Sequence, residues 1–222
     1  FENYLIIFKN FKIGQYLFNT LLVTVLKLVF TMPLAIFASY AFAKLRFRGK
    51  NAMYPLIISA MFIPFQVIMI PVYTMLTKLH MIDTYRGLIL VTGTIGIPSS
   101  IMLLSSSFRS IPNELLEAAA IDGCGYFRKI FHIMIPMGKP AIAICTIMGF
   151  ISSWNDLLPP MVIIKSVNKR LVMPALDGLV SMYNADTPFQ LTGILIAAVP
   201  AIAIYLILSK QIIMGISAGS TK

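Results

Sequence analysis

The sequence predicts an all-α polytopic membrane protein, and three observations support this fold class. Of its 222 residues, 58% are hydrophobic and only 12% are charged, with a mean hydropathy of +0.86. One soluble core could not hide so much apolar surface. The net charge of +10 comes from basic residues in short clusters between long apolar runs. This pattern is typical of membrane topology rather than nucleic-acid binding, and we expect one transmembrane domain over residues 1–222.

About five membrane-spanning helices are predicted. A helix rises about 1.5 Å per residue, so about 20 apolar residues cross the roughly 30 Å of hydrocarbon in a bilayer. Lys27 in the first predicted span and Asp156 in the fourth are the charged residues inside these runs. The five stretches that are long enough are 14–43, 51–77, 87–108, 140–164 and 187–209.

The basic residues of the short loops predict the orientation. Cytoplasmic loops are enriched in Lys and Arg. Alternation of the spans then places the N-terminus outside and the 109–139 loop in the cytoplasm. Because an external, unanchored N-terminus is awkward to export, we expect one further helix before Phe1 and six helices in the natural protein. The loop that sets this orientation follows the first span and holds Lys44, Arg46, Arg48 and Lys50.

The 109–139 loop is predicted to contain a short amphipathic helix that lies along the membrane face. Ser110 is a candidate cap, Pro112 suits a first helical turn, and Glu114 complements the helix dipole. Leucines and alanines then favour helix, and Gly123 is expected to end it. On these grounds alone the helix could equally be a plain surface connector. Arg128 and Lys129 are expected to anchor the rest of the loop at the anionic leaflet. Pro136 and Pro140 are expected to turn the chain back into the bilayer.

The spacing within this loop resembles the EAA loop of permease subunits in ATP-binding-cassette (ABC) importers. The family pattern is EAA, three residues, Gly, nine residues, Ile, any residue and Leu-Pro. Ile135 stands where Leu is usual, which is a change from one apolar residue to another. The residues that match the pattern are Glu117, Ala118, Ala119, Gly123, Ile133 and Pro136.

The resemblance covers nearly the whole chain and is specific to the carbohydrate-uptake branch, in particular the partner-type subunit of maltose-type importers. In that family a first helix precedes the equivalent of Phe1, in agreement with the expectation from topology. The segments that look like this branch include Asn19 and Thr20, residues 38–43, Ile63 and Pro64, Ile70 and Pro71, residues 121–123, and Trp154, Asn155 and Asp156.

The resemblance implies a permease subunit of a binding-protein-dependent importer in the bacterial cytoplasmic membrane, forming half of the pathway for a sugar or oligosaccharide. The implied partners are a second permease, two ATP-binding subunits, an extracytoplasmic solute-binding protein and membrane lipid, with no nucleic acid. In this family the short helix enters a cleft on the ATP-binding subunit. Glu117 would make a polar contact there, while Ala118 and Ala119 would allow close approach. Asp122, Gly123 and Pro136 would complete this coupling segment.

The chain is not predicted to be an enzyme or to bind a cofactor or metal. It has no G-x-x-x-x-G-K-[ST] phosphate-binding loop, so ATP and Mg are expected on the partner subunits. Cys124 and Cys145 are too few and too poorly flanked by other ligands to indicate a metal site or a disulfide framework.

The candidate pathway residues lie in the second and fourth predicted spans. Pro64 and Pro71 are expected to bend the second span twice, as helices that line pathways often do. Asp156 is expected near the outer interface, where it could be a helix-end anchor or part of a gate, with Trp154 in an interfacial aromatic belt and Asn155 beside them.

Lys27 is expected near the middle of the bilayer, where a charge needs a partner or water. Its plain interpretation is contact with a partner subunit or with the wall of a water-filled cavity.

Other functions remain open on the residues alone. The chain could carry another small solute, or it could be an ion-coupled secondary transporter, although Lys27 is the one ionisable residue expected near the midplane. A membrane-embedded enzyme would need converging ionisable groups within the bilayer, whereas the two histidines, His80 and His132, are both expected in loops.

Overall fold

The protein is all-helical over the residues that the structure describes. The computed structural model describes residues 4–5, 7–8, 11–182 and 187–219, and their side chains except those of 179–182, 187, 189 and 208–219. No strand occurs in these ranges, which confirms the predicted fold class. In chain order the helices are α1 Ile13–Lys44, α2 Lys50–Ser59, α3 Phe65–Lys78, α4 Tyr85–Ser110, α5 Asn113–Ile121, α6 Tyr126–Lys129, α7 Ile135–Met137, α8 Lys139–Trp154, α9 Leu158–Ile163, α10 Val172–Met182 and α11 Thr187–Gly219.

The long apolar helices agree with the predicted membrane spans. Among the described residues, Ile13–Lys44, Tyr85–Ser110 and Gln190–Ile207 are each long and apolar enough to cross a bilayer. Two further pairs of helices qualify when each broken pair is counted as one span, which makes up to five. Prolines lie inside α1, α4 and α11 without ending them, as is common in membrane helices.

The second predicted span is broken at Pro64. A 3₁₀ turn, Ala60–Phe62, follows α2, and Ile63 then takes an extended conformation with φ −86° and ψ 108°. The ring of Pro64 disfavours a helical residue before it, so the helix stops there and restarts at Phe65. The prediction of a bend at Pro64 is therefore right. At Pro71 α3 runs on without a break, because one missing hydrogen bond does not end an otherwise complete helix, and the bend expected there stays a prediction.

The fourth predicted span ends ten residues earlier than expected. α8 stops at Trp154, and the chain is non-helical until α9 begins at Leu158. The stretch 140–164 is therefore not one helix, and Pro159 and Pro160 lie in the first turn of the new short helix α9. The helix α10 lies in a stretch that the predicted spans leave as a loop.

The chain turns from the 109–139 loop into the next span at Gly138, between Pro136 and Pro140, where the turn was expected. Residues Tyr126–Met137 form one helical run with a π-helical segment at Ile130–Met134, in which His132 lies, although a loop was expected there. Pro136 lies inside this run. The wider π turn spares it the clash that a proline makes with the carbonyl four residues before it.

At Gly138 the run meets α8 at an angle of 79°. A Cβ on Gly138 would lie 2.5 Å from Cε1 of Phe108, so only glycine allows this close approach.

The chain divides into two compact units. The first comprises Phe1–Leu28, Pro64–Gly93 and Phe150–Ile207. It has one core around Trp154 and Val172 and another around Leu76, Leu88 and Ile163. The second unit comprises Val29–Ile63, Thr94–Gly149 and Leu208–Lys222. Its core holds buried side chains from α1, α4, the 109–139 loop and α8, among them Phe42, Phe108, Leu116, Met134 and Cys145.

Candidate functional site

The helix α5 presents two different faces. Leu116 and Ala119 are only 8% and 9% exposed, and Leu116 belongs to the core of the second unit. Glu117 and Ala118 are exposed on the other side, together with Ile121, which is 87% exposed. The structure thus brings Glu117 and Ala118 onto one outward surface. Ala119 faces inward, so its small side chain allows α5 to lie close to its own subunit.

The start of α5 is fixed by a lysine for which the sequence indicated only topology. Ser110 was expected to cap the helix, but its hydroxyl donates to the carbonyl of Ser107 because α4 continues to Ser110. Instead, Lys44 at the end of α1 reaches across and donates from Nζ to the carbonyl of Ile111, at 2.5 Å, and to Oδ1 of Asn113, at 2.8 Å. The signal for this role was weak, since a lysine at the end of a span usually reports only which side of the membrane it is on.

The end of α5 is a Schellman turn, as the position of Gly123 predicts. Gly123 has φ +76°, a left-handed conformation that glycine adopts without strain. Its amide donates to the carbonyl of Ala120 at 3.1 Å, and the amide of Cys124 donates to that of Ala119 at 2.8 Å. These are the two bonds that define the motif. Asp122 is the exposed residue between helix and turn.

The apolar positions of the EAA pattern after Gly123 serve packing. Ile133 and Ile135 are half-buried against the core of the second unit, and Met134 between them is fully buried. Pro136 is exposed. Phe37 of α1 makes edge-to-face contacts with Phe127 and Phe131, at centroid distances of 5.9 Å and 6.2 Å. The loop therefore packs against its own subunit from Ile111 to Gly138. Glu117 and Ala118 remain exposed on its outer surface.

The candidates of the fourth span lie in the first unit, and Trp154 is a core residue. It is 2% exposed, stacks on Phe150 at 5.4 Å, and donates from Nε1 to the carbonyl of Ala197 at 3.0 Å. The expected place in an interfacial aromatic belt is therefore wrong, because the hydrogen bond and the stacking both draw the ring inward.

Asp156 and Lys27 form an electrostatic pair that sequence reasoning missed. Lys27 is only 6% exposed, although contact with a partner subunit or a water-filled cavity was its plain interpretation. Its charge and that of the half-buried Asp156 attract each other. Nearby, the hydroxyl of Thr24 in α1 donates to Oγ of Ser153 near the end of α8 at 3.2 Å. No sequence signal links a lysine of the first predicted span to an aspartate of the fourth.

Asn155 lies at the rim of a small open cavity of about 270 Å³. Its amide donates back to the carbonyl of Ile151, which helps to end α8. The cavity is mostly apolar, with three polar side chains, and its lining residues are Asn155, Leu157, Met173, Leu176, Asp177, Gln190 and Ile194. Pro64 and Pro71 do not line it; both are exposed, Pro64 just before α3 and Pro71 within it.

The loop at 165–170 is held from two sides within the first unit. On one side Asp83 accepts hydrogen bonds from the amides of Lys165 and Ser166, from the Ser166 hydroxyl and from Nζ of Lys169. The Ser166 bonds and these other donors hold the pKa of Asp83 well below its usual range.

On the other side α1 supplies side-chain amides to the same loop. Nδ2 of Asn19 donates to the carbonyls of Asn168 and Arg170, at 2.9 Å and 3.0 Å. Gln15 donates to the carbonyl of Asn168 at 2.9 Å, and the Thr20 hydroxyl accepts from the amide of Val172 at 2.8 Å. These side chains of α1 thus hold the backbone of the loop in place. Among the described residues, no group of three His, Cys, Asp or Glu side chains could hold a metal ion.

Comparison with known proteins gives one consistent result. Residues 31–216 match the family described as binding-protein-dependent transport system inner membrane component. The chain is 30% identical to the arabinooligosaccharides transport system permease protein AraQ of Bacillus subtilis, covering 100% of this chain and 79% of that one. It is 29% identical to the diacetylchitobiose uptake system permease protein NgcG of Streptomyces coelicolor, over 99% of this chain and 74% of that one.

Among solved structures, a chain of a bacterial ABC transporter involved in the import of the acidic polysaccharide alginate matches with a TM-score of 0.77 and 26% identity. The match covers 94% of this chain and 78% of that chain.

Proposed function

Because the chain belongs to the family of binding-protein-dependent transport system inner membrane components, we propose that its α5 surface couples an ABC importer to its ATP-binding subunits. The chain is a multi-pass plasma-membrane permease. The observation that supports the coupling role is that α5 is attached to the rest of the permease by packing and hydrogen bonds. Its inner face packs on the permease core and its N-terminal end is bonded to Lys44 of α1, while Glu117 and Ala118 are exposed on the other side. A surface mounted in this way transmits a displacement to the membrane helices instead of bending away.

The chemistry of the outward surface suits a tight protein interface. A carboxylate beside a small side chain lets a partner helix or cleft approach closely, and pairing with a basic group fixes the register. In this arrangement the 109–139 loop faces the cytoplasm. The full importer then contains a second permease, two ATP-binding subunits that carry ATP and Mg, and an extracytoplasmic solute-binding protein.

The substrate class we propose is an oligosaccharide. The names of AraQ and NgcG, and the description of the alginate transporter, refer to arabinooligosaccharides, diacetylchitobiose and an acidic polysaccharide. The test is uptake of labelled oligosaccharides by the reconstituted importer with its cognate binding protein. Uptake of a non-carbohydrate solute alone would overturn this part of the proposal and leave the coupling role intact.

The coupling role is tested by Glu117→Gln in the assembled importer. We expect the variant to lose most of its ATP-driven uptake and part of its co-purifying ATP-binding subunit, because the polar contact of the docking surface is lost. The control is Glu114→Gln, since Glu114 is an exposed carboxylate on the first turn of the same helix. Equal effects of the two substitutions, or uptake that persists without ATP and follows an ion gradient, would refute it.

A further inference from the structure

We propose that Lys44 is a positioning residue that holds the coupling helix α5 in register with the membrane helices α1 and α4, and this proposal rests on the function proposed above. Lys44 is the last residue of α1. From there its Nζ donates to the carbonyls of Ile111 and Arg109, at 2.5 Å and 3.4 Å, and to Oδ1 of Asn113 at 2.8 Å. One ammonium group therefore bonds to the end of α4, to the connecting residues and to the first residue of α5.

The connection between α4 and α5, which Lys44 bridges, has little hydrogen bonding of its own. Between Ser110 and Asn113 the chain leaves the helical conformation, and Pro112 has no amide to donate. One backbone bond, from the amide of Ile111 to the carbonyl of Phe108 at 3.3 Å, extends past the end of α4. Without the Lys44 bonds, the packing of Leu116 would have to hold the angle between α4 and α5 when a partner pushes on α5.

The end of α4 has its own support, which separates the role of Lys44 from general stability. The Arg109 guanidinium lies 5.0 Å above the ring of Tyr54 in α2, and the Tyr54 hydroxyl is 2.9 Å from Oγ of Ser105. These contacts hold α4 to α2 whether or not Lys44 is present. Leu116 likewise keeps α5 on the core. Removing the lysine head should thus loosen the angle between α4 and α5 without unfolding either helix.

An ammonium group suits this task because its three donors meet three acceptors. Bonds from a charged donor to carbonyl oxygens are stronger than neutral ones, and the last carbonyls of a helix carry partial negative charge.

The test compares Lys44→Met with Lys50→Met in the full importer reconstituted in vesicles. Lys50 is a matched control, because it is a lysine of the same basic cluster whose Nζ bonds to the carbonyl of Leu45 in its own loop. Both substitutions remove one positive charge from the same short loop, so effects of topology or anionic lipid are equal in the two. The measured quantity is substrate taken up per ATP hydrolysed.

We expect Lys44→Met to assemble with the ATP-binding subunits and hydrolyse ATP, but to take up roughly tenfold less substrate per ATP, as for the loss of about one charge-assisted hydrogen bond. Lys50→Met should behave as the unaltered importer does. Asn113→Ala, which leaves the carbonyl bonds in place, should show a smaller loss, and Lys44→Met with Asn113→Ala should be no worse than Lys44→Met alone.

Equal ratios for Lys44→Met and Lys50→Met would overturn the inference. If Lys44→Met does not reach the membrane, Asn113→Ala decides alone, and a normal ratio in that variant counts against the inference. An unaltered importer without ATP-driven uptake would instead refute the proposed function, so the two failures are distinguishable.

Discussion

The left-handed turn at Gly123 gives the sharpest test of how the coupling helix ends. Replacing Gly123 by Ala puts a Cβ on a residue with φ +76°, which costs about 1–2 kcal/mol for an L-residue. Space is no obstacle, because no atom of the described residues beyond its chain neighbours lies within 4 Å of the place that this Cβ would take. The whole effect therefore comes from backbone strain. It should reduce the population of the closed turn relative to the open turn by about 5- to 30-fold.

The assay is hydrogen exchange of the amides that close the turn, at residue 123 and Cys124. Their protection should fall by the same factor, and ATP-driven uptake should fall with it. Gly125→Ala is the matched control, since Gly125 has φ −71° and also has open space where its Cβ would lie. Asn at position 123 should lie between Gly and Ala, because Asn tolerates this conformation. Equal protection in the Gly123→Ala and Gly125→Ala proteins would show that turn handedness does not hold the end of the helix.

Three further changes test the contacts of the first unit. Trp154→Phe keeps an aromatic ring but loses the bond to the Ala197 carbonyl, so it should lower stability in a thermal melt by about 1 kcal/mol, and an unchanged melt would contradict the assigned bond. Lys27→Met and Asp156→Asn should each be worse tolerated than both together, with an interaction energy of about 0.5–3 kcal/mol in a double-mutant cycle; strict additivity would exclude a pair. Asp83→Asn should destabilise the protein at neutral pH by about 1 kcal/mol or less, as its lysine partner is partly exposed. Because the folded-state pKa of Asp83 is lowered, the carboxylate stabilises the fold above the unfolded pKa of about 4 and loses that effect as pH falls below it, so the difference between the two proteins should shrink in acid; a constant difference would refute this.

Features that follow from local chemistry were predictable from the sequence. The turn at Gly123 and the break at Pro64 each follow from the backbone preferences of one or two residues, and both are found. The span limits of α1 agree within one residue because a long apolar run has no alternative in a bilayer.

Features that depend on distant parts of the chain were not predictable. Ser110 looks like a cap, yet whether a serine caps one helix or ends another depends on where the previous helix stops. The burial of Trp154 and the attraction between Lys27 and Asp156 both need a second helix to be brought alongside, and residue spacing carries no record of that pairing. The same is true of Lys44, whose acceptors lie more than sixty residues further along the chain.

The loop at 165–170 has a thermodynamic consequence. A loop normally loses conformational entropy when a partner binds it, and this loss weakens the association. Here the loss occurs during folding, because Asp83 holds the loop on one side and Asn19 on the other. Lys165, Val167 and Asn168 are therefore exposed on a backbone that is already ordered. A partner that contacts them would lose little backbone entropy on binding.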